Sequence, residues 1–347
     1  MSRGRTTIIL IFFVVHQKMD IKKIQKKLSM VFFLFGLLLL VFLIRKVGWE
    51  DVWQQIQKVN YKIFYIFLFP ITWYSIQSFA WWRVLTDDGV KVSLIHVFLT
   101  KITGEAINTV TPLSFIGGDP YRIYLLQKKT TKTSSASSVV IDRTMYFLGV
   151  FLLLLLTLCI GWFRLALPPL WRVLFPVFIV GFFVFFIMLV RFQKKGMFTT
   201  ISQLVLKTGI QKDRILSYSE KIADLDEKIG SFYSKHKAHF FEIMILHFIG
   251  RFLGAVEIFI IASLLGLPIE FVHCLYLASL TILINFLFVF IPGSMGVMES
   301  GYGALFYILK INWEHGVALQ LVRRIRAFFW IGIGLLIILF YKPTKKA

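Results

Sequence analysis

The chain is 347 residues long and 57% hydrophobic, with a mean hydropathy of +0.75. That composition excludes an ordinary soluble domain and puts recurrent apolar runs of spanning length in a bilayer. Lys and Arg outnumber Asp and Glu by 39 to 18, a formal net charge of +21; in such a chain the excess holds cytoplasmic loops and meets anionic lipid, so no nucleic-acid partner is expected.

Residues 1–28 form a basic N-terminal segment. Arg3 and Arg5 precede an apolar stretch, Ile8 to Val15, that is too short to span, and Lys18, Lys22, Lys23, Lys26 and Lys27 follow. The segment is like a truncated signal peptide without a small-residue cleavage site, and Met19 and Met30 are alternative starts. Residues 29–341 read as a single transmembrane domain and 342–347 as a basic tail. The first span is 30–48, and the lysines ahead of it place the N-terminus in the cytoplasm, which predicts a multi-pass protein of the cytoplasmic (inner) membrane. A second span, 63–82, contains Pro70 and ends on Trp81 and Trp82 as interface anchors.

Residues 128–143, basic and rich in Ser and Thr, read as a cytoplasmic loop before spans 145–163 and 172–190, which turn at Pro168 and Pro169. Residues 191–238 carry ten Lys or Arg against five Asp or Glu and read as a cytoplasmic insertion. Within it Ile215, Tyr218, Ile222, Leu225, Ile229 and Phe232 recur at helical steps, predicting an amphipathic helix lying on the inner surface. About fifty residues are too few for a further soluble catalytic domain. Spans 240–265, 272–291 and 318–341 complete an all-α polytopic bundle of seven or eight crossings, the number depending on whether 292–310 crosses.

Two stretches depart from this pattern. PLSFIGGD runs from Pro112 to Asp119 and PGSMGVME from Pro292 to Glu299, each a proline followed seven residues later by an acid inside glycine-broken apolar sequence. Proline removes a helical hydrogen bond, and Gly117, Gly118, Gly293 and Gly296 let backbone pass close to a neighbour or leave amides free. Carboxylates are expensive in lipid, so the pair predicts two broken or re-entrant segments, open to a pseudo-symmetric relation, that meet in one polar cavity.

GEAINTVTPLSFIGGDPYRIYLL, then Asp142 and Arg143, then FIPGSMGVMESGYGALF, in that order and separation, resembles the transmembrane flippase-like domain family of lysylphosphatidylglycerol synthase over roughly residues 30–340. The resemblance implies a membrane protein that moves a phospholipid or polyprenyl-linked lipid between leaflets. No soluble aminoacyl-transfer domain accompanies it here, which puts lysyl transfer in doubt.

Several residues carry two readings. Asp119 caps a helix with Pro120 in its first turn, or serves a site; Glu299 complements a helix dipole, or serves a site. Arg122 neutralises Asp119 one turn away, or clamps a lipid phosphate with its planar fork. Asp142 and Arg143 are interfacial charges or site residues. Arg251 and Glu257, six apart, require partners on other helices. Arg323, Arg324 and Arg326 read first as snorkelling anchors and second as a head-group site. With Asn108 these define the candidate substrate residues: Asn108, Pro112, Gly117, Gly118, Asp119, Arg122, Asp142, Arg143, Arg251, Pro292, Gly293, Gly296 and Glu299.

The histidines show no metal-binding spacing, the cysteines Cys159 and Cys274 have no second-ligand spacing, and no GxxxxGK[ST] loop occurs, so no cofactor, metal or ATPase activity is expected. The leading expectation is a lipid flippase or transporter for a lipid with an anionic head group. Proton or ion coupling and oligomerisation both fit it, and the rival is a membrane-embedded transferase acting on a lipid-linked substrate.

Overall fold

The computed structural model describes residue 57 and residues 60–110, 117–164, 169–207, 212–235 and 237–341. The expected first span at 30–48, Pro112 and the basic segments at both ends lie outside the described residues. Among the described residues every regular element is helical. The protein is an all-α membrane bundle.

Helix α1 (Ile63–Leu68) runs into α2 (Pro70–Asp87), with Pro70 in the first turn of α2 where its missing amide costs least. Then come α3 (Leu94–Val110), α4 (Asp119–Leu126), α5 (Lys132–Arg164) and α6 (Pro169–Lys194). Three polar-region helices follow: α7 (Met197–Lys207), α8 (Lys212–Leu216) and α9 (Ser219–Lys235). The chain ends with α10 (Lys237–Leu264), α11 (Phe271–Leu287), α12 (Val297–Ile308) and α13 (Trp313–Phe340). Among the described residues three helices are long and apolar enough to cross a membrane: Ile63–Asp87, Lys132–Phe163 and Lys237–Leu264. The outer face of α6 exposes Val177, Val180, Phe183, Phe185 and Met188, a continuous apolar surface suited to lipid rather than water.

One order of elements occurs twice: a long helix, a 17-residue helix, a break, a short helix and a long helix. The first set is α1–α2, α3, α4, α5; the second is α10, α11, α12, α13. The leading helices pack antiparallel. Arg83 near the end of α2 meets Glu242 near the start of α10, Gln77 lies against Gly250, and Ile66 shares a buried cluster with Ala255 and Ile258. The two sets therefore run in opposite senses about a point near Gln77 and Gly250, as in inverted repeats.

Three local expectations are corrected. The Ser-rich run is not a loop, because α5 starts at Lys132. Its hydroxyls bond back to carbonyls of the same helix, Ser135 to Thr131 and Ser138 to Ser135, so the run stays helical while small side chains pack closely. Trp81 is not an interface anchor: it is fully buried, donates to Ser138 Oγ at 3.3 Å and lies beside Lys101 and Arg122. The apolar stripe of α9 faces protein rather than lipid, since Leu225, Ile229 and Phe232 join a core cluster with Val84, Val139 and Ile141. Asp226 on the same helix accepts the first free amides of α7, from Phe198 and Thr199, and fixes the insertion to the bundle.

Candidate functional site

The first break is held from α3. Lys101, Glu105 and Asn108 recur at four and three residues and share one face of that helix. Asn108 Oδ1 accepts the Gly118 amide at 2.6 Å and ties the far side of the break to α3. Gly118 must be glycine because a Cβ there would run into the Gly104 carbonyl. Gly118 is also the residue that caps α4, and no side chain caps it. The Asp119 carboxylate is thereby left for cations. Arg143 on α5 grips it with Nε and Nη2, both at 2.8 Å, and Arg122 adds Nη1 at 3.1 Å. Arg122 also donates to Glu105 at 2.5 Å.

The second break is held in a parallel way. Asn285 Oδ1 accepts the Ser294 hydroxyl at 2.9 Å. The backbone turns through left-handed geometry at Gly293 (φ 61) and Gly296 (φ 75), where glycine is unstrained, and at Ser294 (φ 47), where it is not. Arg324 on α13 closes the turn: it donates to the Gly293 carbonyl at 3.0 Å and its Nε lies 2.5 Å from Glu299 Oε1. Asn108 and Asn285 are each third from the end of their helices. Asp119 and Arg143 are 24 residues apart, Glu299 and Arg324 25. An asparagine before the break, an acid after it and an arginine on the next helix thus recur in both sets.

Between the two sets lies a cavity of about 690 Å³, with Glu105, Asn108 and Thr109 on its wall from the first break and Gly293, Met295 and Met298 from the second. The end of α3 and the second break border one space. Arg143, Arg251, Arg323, Arg324 and Arg326 line it, with Glu257 on α10. Glu257 Oε2 accepts from Arg323 Nε and from Arg326 Nη2, each at 3.3 Å. Arg323 also donates to Thr281 and to the Tyr302 hydroxyl, and Arg326 stacks over Trp73. Arg251 meets the Tyr146 hydroxyl at 3.0 Å and its ring at 4.8 Å. As the six-residue spacing required, Arg251 and Glu257 pair with other helices and not with each other.

The described sequence-predicted residues fall into four places. Asn108, Arg143, Arg251 and Gly293 stand on the cavity wall. Asp119 and Glu299 stand behind it, buried, and hold Arg143 and Arg324 in place, with buried Arg122 paired to Asp119 and Glu105. Gly117, Gly118, Pro292 and Gly296 shape the breaks. Asp142 is elsewhere: it is fully buried, bound by Lys101 Nζ at 2.8 Å, and His247 Nε2 lies 3.1 Å away but off a hydrogen-bonding line. Among the described residues no group of three or more His, Cys, Asp or Glu could hold a metal ion.

Sequence reasoning ranked Arg323, Arg324 and Arg326 as snorkelling anchors, and the structure corrects this. The last helix begins at Trp313, capped by Asn312, and not at 318. Their guanidiniums turn inward, Arg323 and Arg326 to Glu257 and Arg324 to Glu299 and the Gly293 carbonyl, so they line the cavity. Glu105, Glu257 and Gln77 were also missed as wall residues.

The family model described as the lysylphosphatidylglycerol synthase TM region matches residues 27–334. The chain belongs to that family. The match covers nearly the whole chain, and no soluble synthase domain is evident within it. No curated protein and no solved structure matches the chain. The protein is therefore a multi-pass membrane protein of a family tied to lipid metabolism or flipping.

Proposed function

We propose that this protein is a transporter of the cytoplasmic membrane, N-terminus inside, that moves an anionic phospholipid or polyprenyl-linked lipid between leaflets. One observation carries the reading: an arginine-lined cavity at membrane depth, enclosed by two oppositely running sets of helices that each contribute a break. Ionisable groups at that depth are costly and mark a substrate path. The opposed sets supply two alternative gates around one fixed site, as inverted repeats do in transporters. In this reading the broken segments are re-entrant, and the acids behind the wall keep the arginines aimed at the cavity while the lipid tails stay in bilayer.

The experiment is reconstitution of the full chain in liposomes containing fluorescent phosphatidylglycerol, with accessible label quenched from outside. Loss of label beyond the outer leaflet, faster than in protein-free liposomes, is expected. Identical kinetics with and without protein, for phosphatidylglycerol and for a polyprenyl phosphate, would remove the proposal.

A further inference from the structure

Charge around the cavity does not balance. Arg122 and Arg143 are matched by Glu105 and Asp119, and Arg324 by Glu299, while Arg323 and Arg326 share the single carboxylate of Glu257. Among the described residues Arg251 has no carboxylate partner: its polar contact is the Tyr146 hydroxyl, and its Nε is buried and unpartnered. Two surplus positive charges therefore face one space.

Further unmet donors lie on the same wall. Gln77 and Asn108 are each 2% exposed, both line the cavity, and Gln77 Nε2 and Asn108 Nδ2 have no hydrogen-bond partner. Asn108 spends its oxygen on the Gly118 amide, so only its donors are free. Gln77 Nε2 sits beside the backbone that carries Arg251: a Cβ added to Gly250 would be 2.9 Å from it. A buried donor without an acceptor is destabilising, and a buried guanidinium without an anion more so. A ligand that brings several anionic oxygens relieves both deficits, and a planar guanidinium with amide donors on the same cavity wall suits a phosphate.

We propose that Arg251, Gln77 and Asn108 form a subsite for the phosphate of an anionic lipid head group that lacks an amino group. The subsite rests on the transport reading for the source of its phosphate. A lysylated head group would bring ammonium charge against the surplus guanidiniums, so this chain takes the unmodified lipid in preference to the lysyl ester.

Binding to the purified full chain in detergent tests this, with four probes: dioctanoyl phosphatidylglycerol, its lysyl ester, dioctanoylglycerol and inorganic phosphate. Phosphatidylglycerol should bind, its lysyl ester about tenfold or more weaker, and dioctanoylglycerol not measurably. Arg251→Gln and Gln77→Glu should each weaken phosphatidylglycerol about tenfold or more, the second by placing a carboxylate beside Arg251. Gln77→Glu removes no cation, so it carries the test if Arg251→Gln fails to accumulate. Wild-type affinity in both variants overturns the subsite and leaves transport standing, as does tighter binding of the lysyl ester. Binding of inorganic phosphate without phosphatidylglycerol overturns the phospholipid head group as the source of the phosphate and leaves transport of a polyprenyl-linked lipid standing. No binding of either phosphate probe to the wild type overturns the subsite.

Discussion

At the first break Asp119 takes three hydrogen bonds from Arg143 and one from Arg122, whereas at the second Glu299 takes one from Arg324 and leaves its Oε2 unpartnered. Arg324 in turn leans on two backbone carbonyls of its own break, Gly293 and Ser294. The same asparagine, acid and arginine are thus assembled with different firmness. The first break is tied through side chains on three helices; the second depends on backbone in left-handed geometry, at a serine as well as at glycines. By these side-chain ties the described end of the first break is the firmer and the second break the more compliant.

Breaking the comparison starts at its firmer end. Asp119→Ala leaves Arg122 with Glu105 alone and Arg143 without its bidentate partner, a loss of about 3–5 kcal/mol typical of a broken buried pair; denaturant titration in mixed micelles measures it. Glu299→Ala should lose less, about 1–3 kcal/mol, because Arg324 keeps its carbonyl acceptors. If Glu299→Ala proves the more damaging of the two, the firm and compliant halves have been assigned the wrong way round.

Smaller changes sharpen the contrast. Asn108→Ala strands the Gly118 amide in a buried setting and should lose about 1–3 kcal/mol. Asn285→Ala frees a hydroxyl that can rotate to another acceptor, so about 1 kcal/mol or less is expected in the same titration. Ser138→Ala, outside both breaks, removes one long hydrogen bond from Trp81 and should be the smallest, about 0.5–1 kcal/mol. An Asn285→Ala loss equal to that of Asn108→Ala would show that the second break is as firmly specified as the first.

Much of this was legible in the sequence. Apolar runs placed most of the spans from 63 onward to within about five residues, but not the start of α5, and the second proline-to-acid motif falls on the turn between α11 and α12. Three things were hidden, each for a physical reason. The recurring asparagine, acid and arginine differ in spacing by a few residues between sets, so the prolines stood out and the repeat did not; Pro292 lies seven residues after Asn285, while Pro112 lies four after Asn108. The inward turn of Arg323, Arg324 and Arg326 depends on Glu257 and Glu299, which lie on other helices. The partners of Arg251 and Glu257 are on other helices, and no local pattern reveals which. The polar 128–143 stretch misled because serines that bond their own helix look like loop in composition and act as close-packing residues in the fold.

In the proposed transport cycle Asp119 and Glu299 serve one site by holding arginines on a shared cavity. Its most direct test is the liposome assay for fluorescent phosphatidylglycerol with wild type, Asp119→Asn and Glu299→Gln, each checked for equal insertion. The account predicts that wild type moves lipid and that each variant falls about tenfold or more, with the arginines no longer anchored by charge. Wild-type rates in both inserted variants would contradict it.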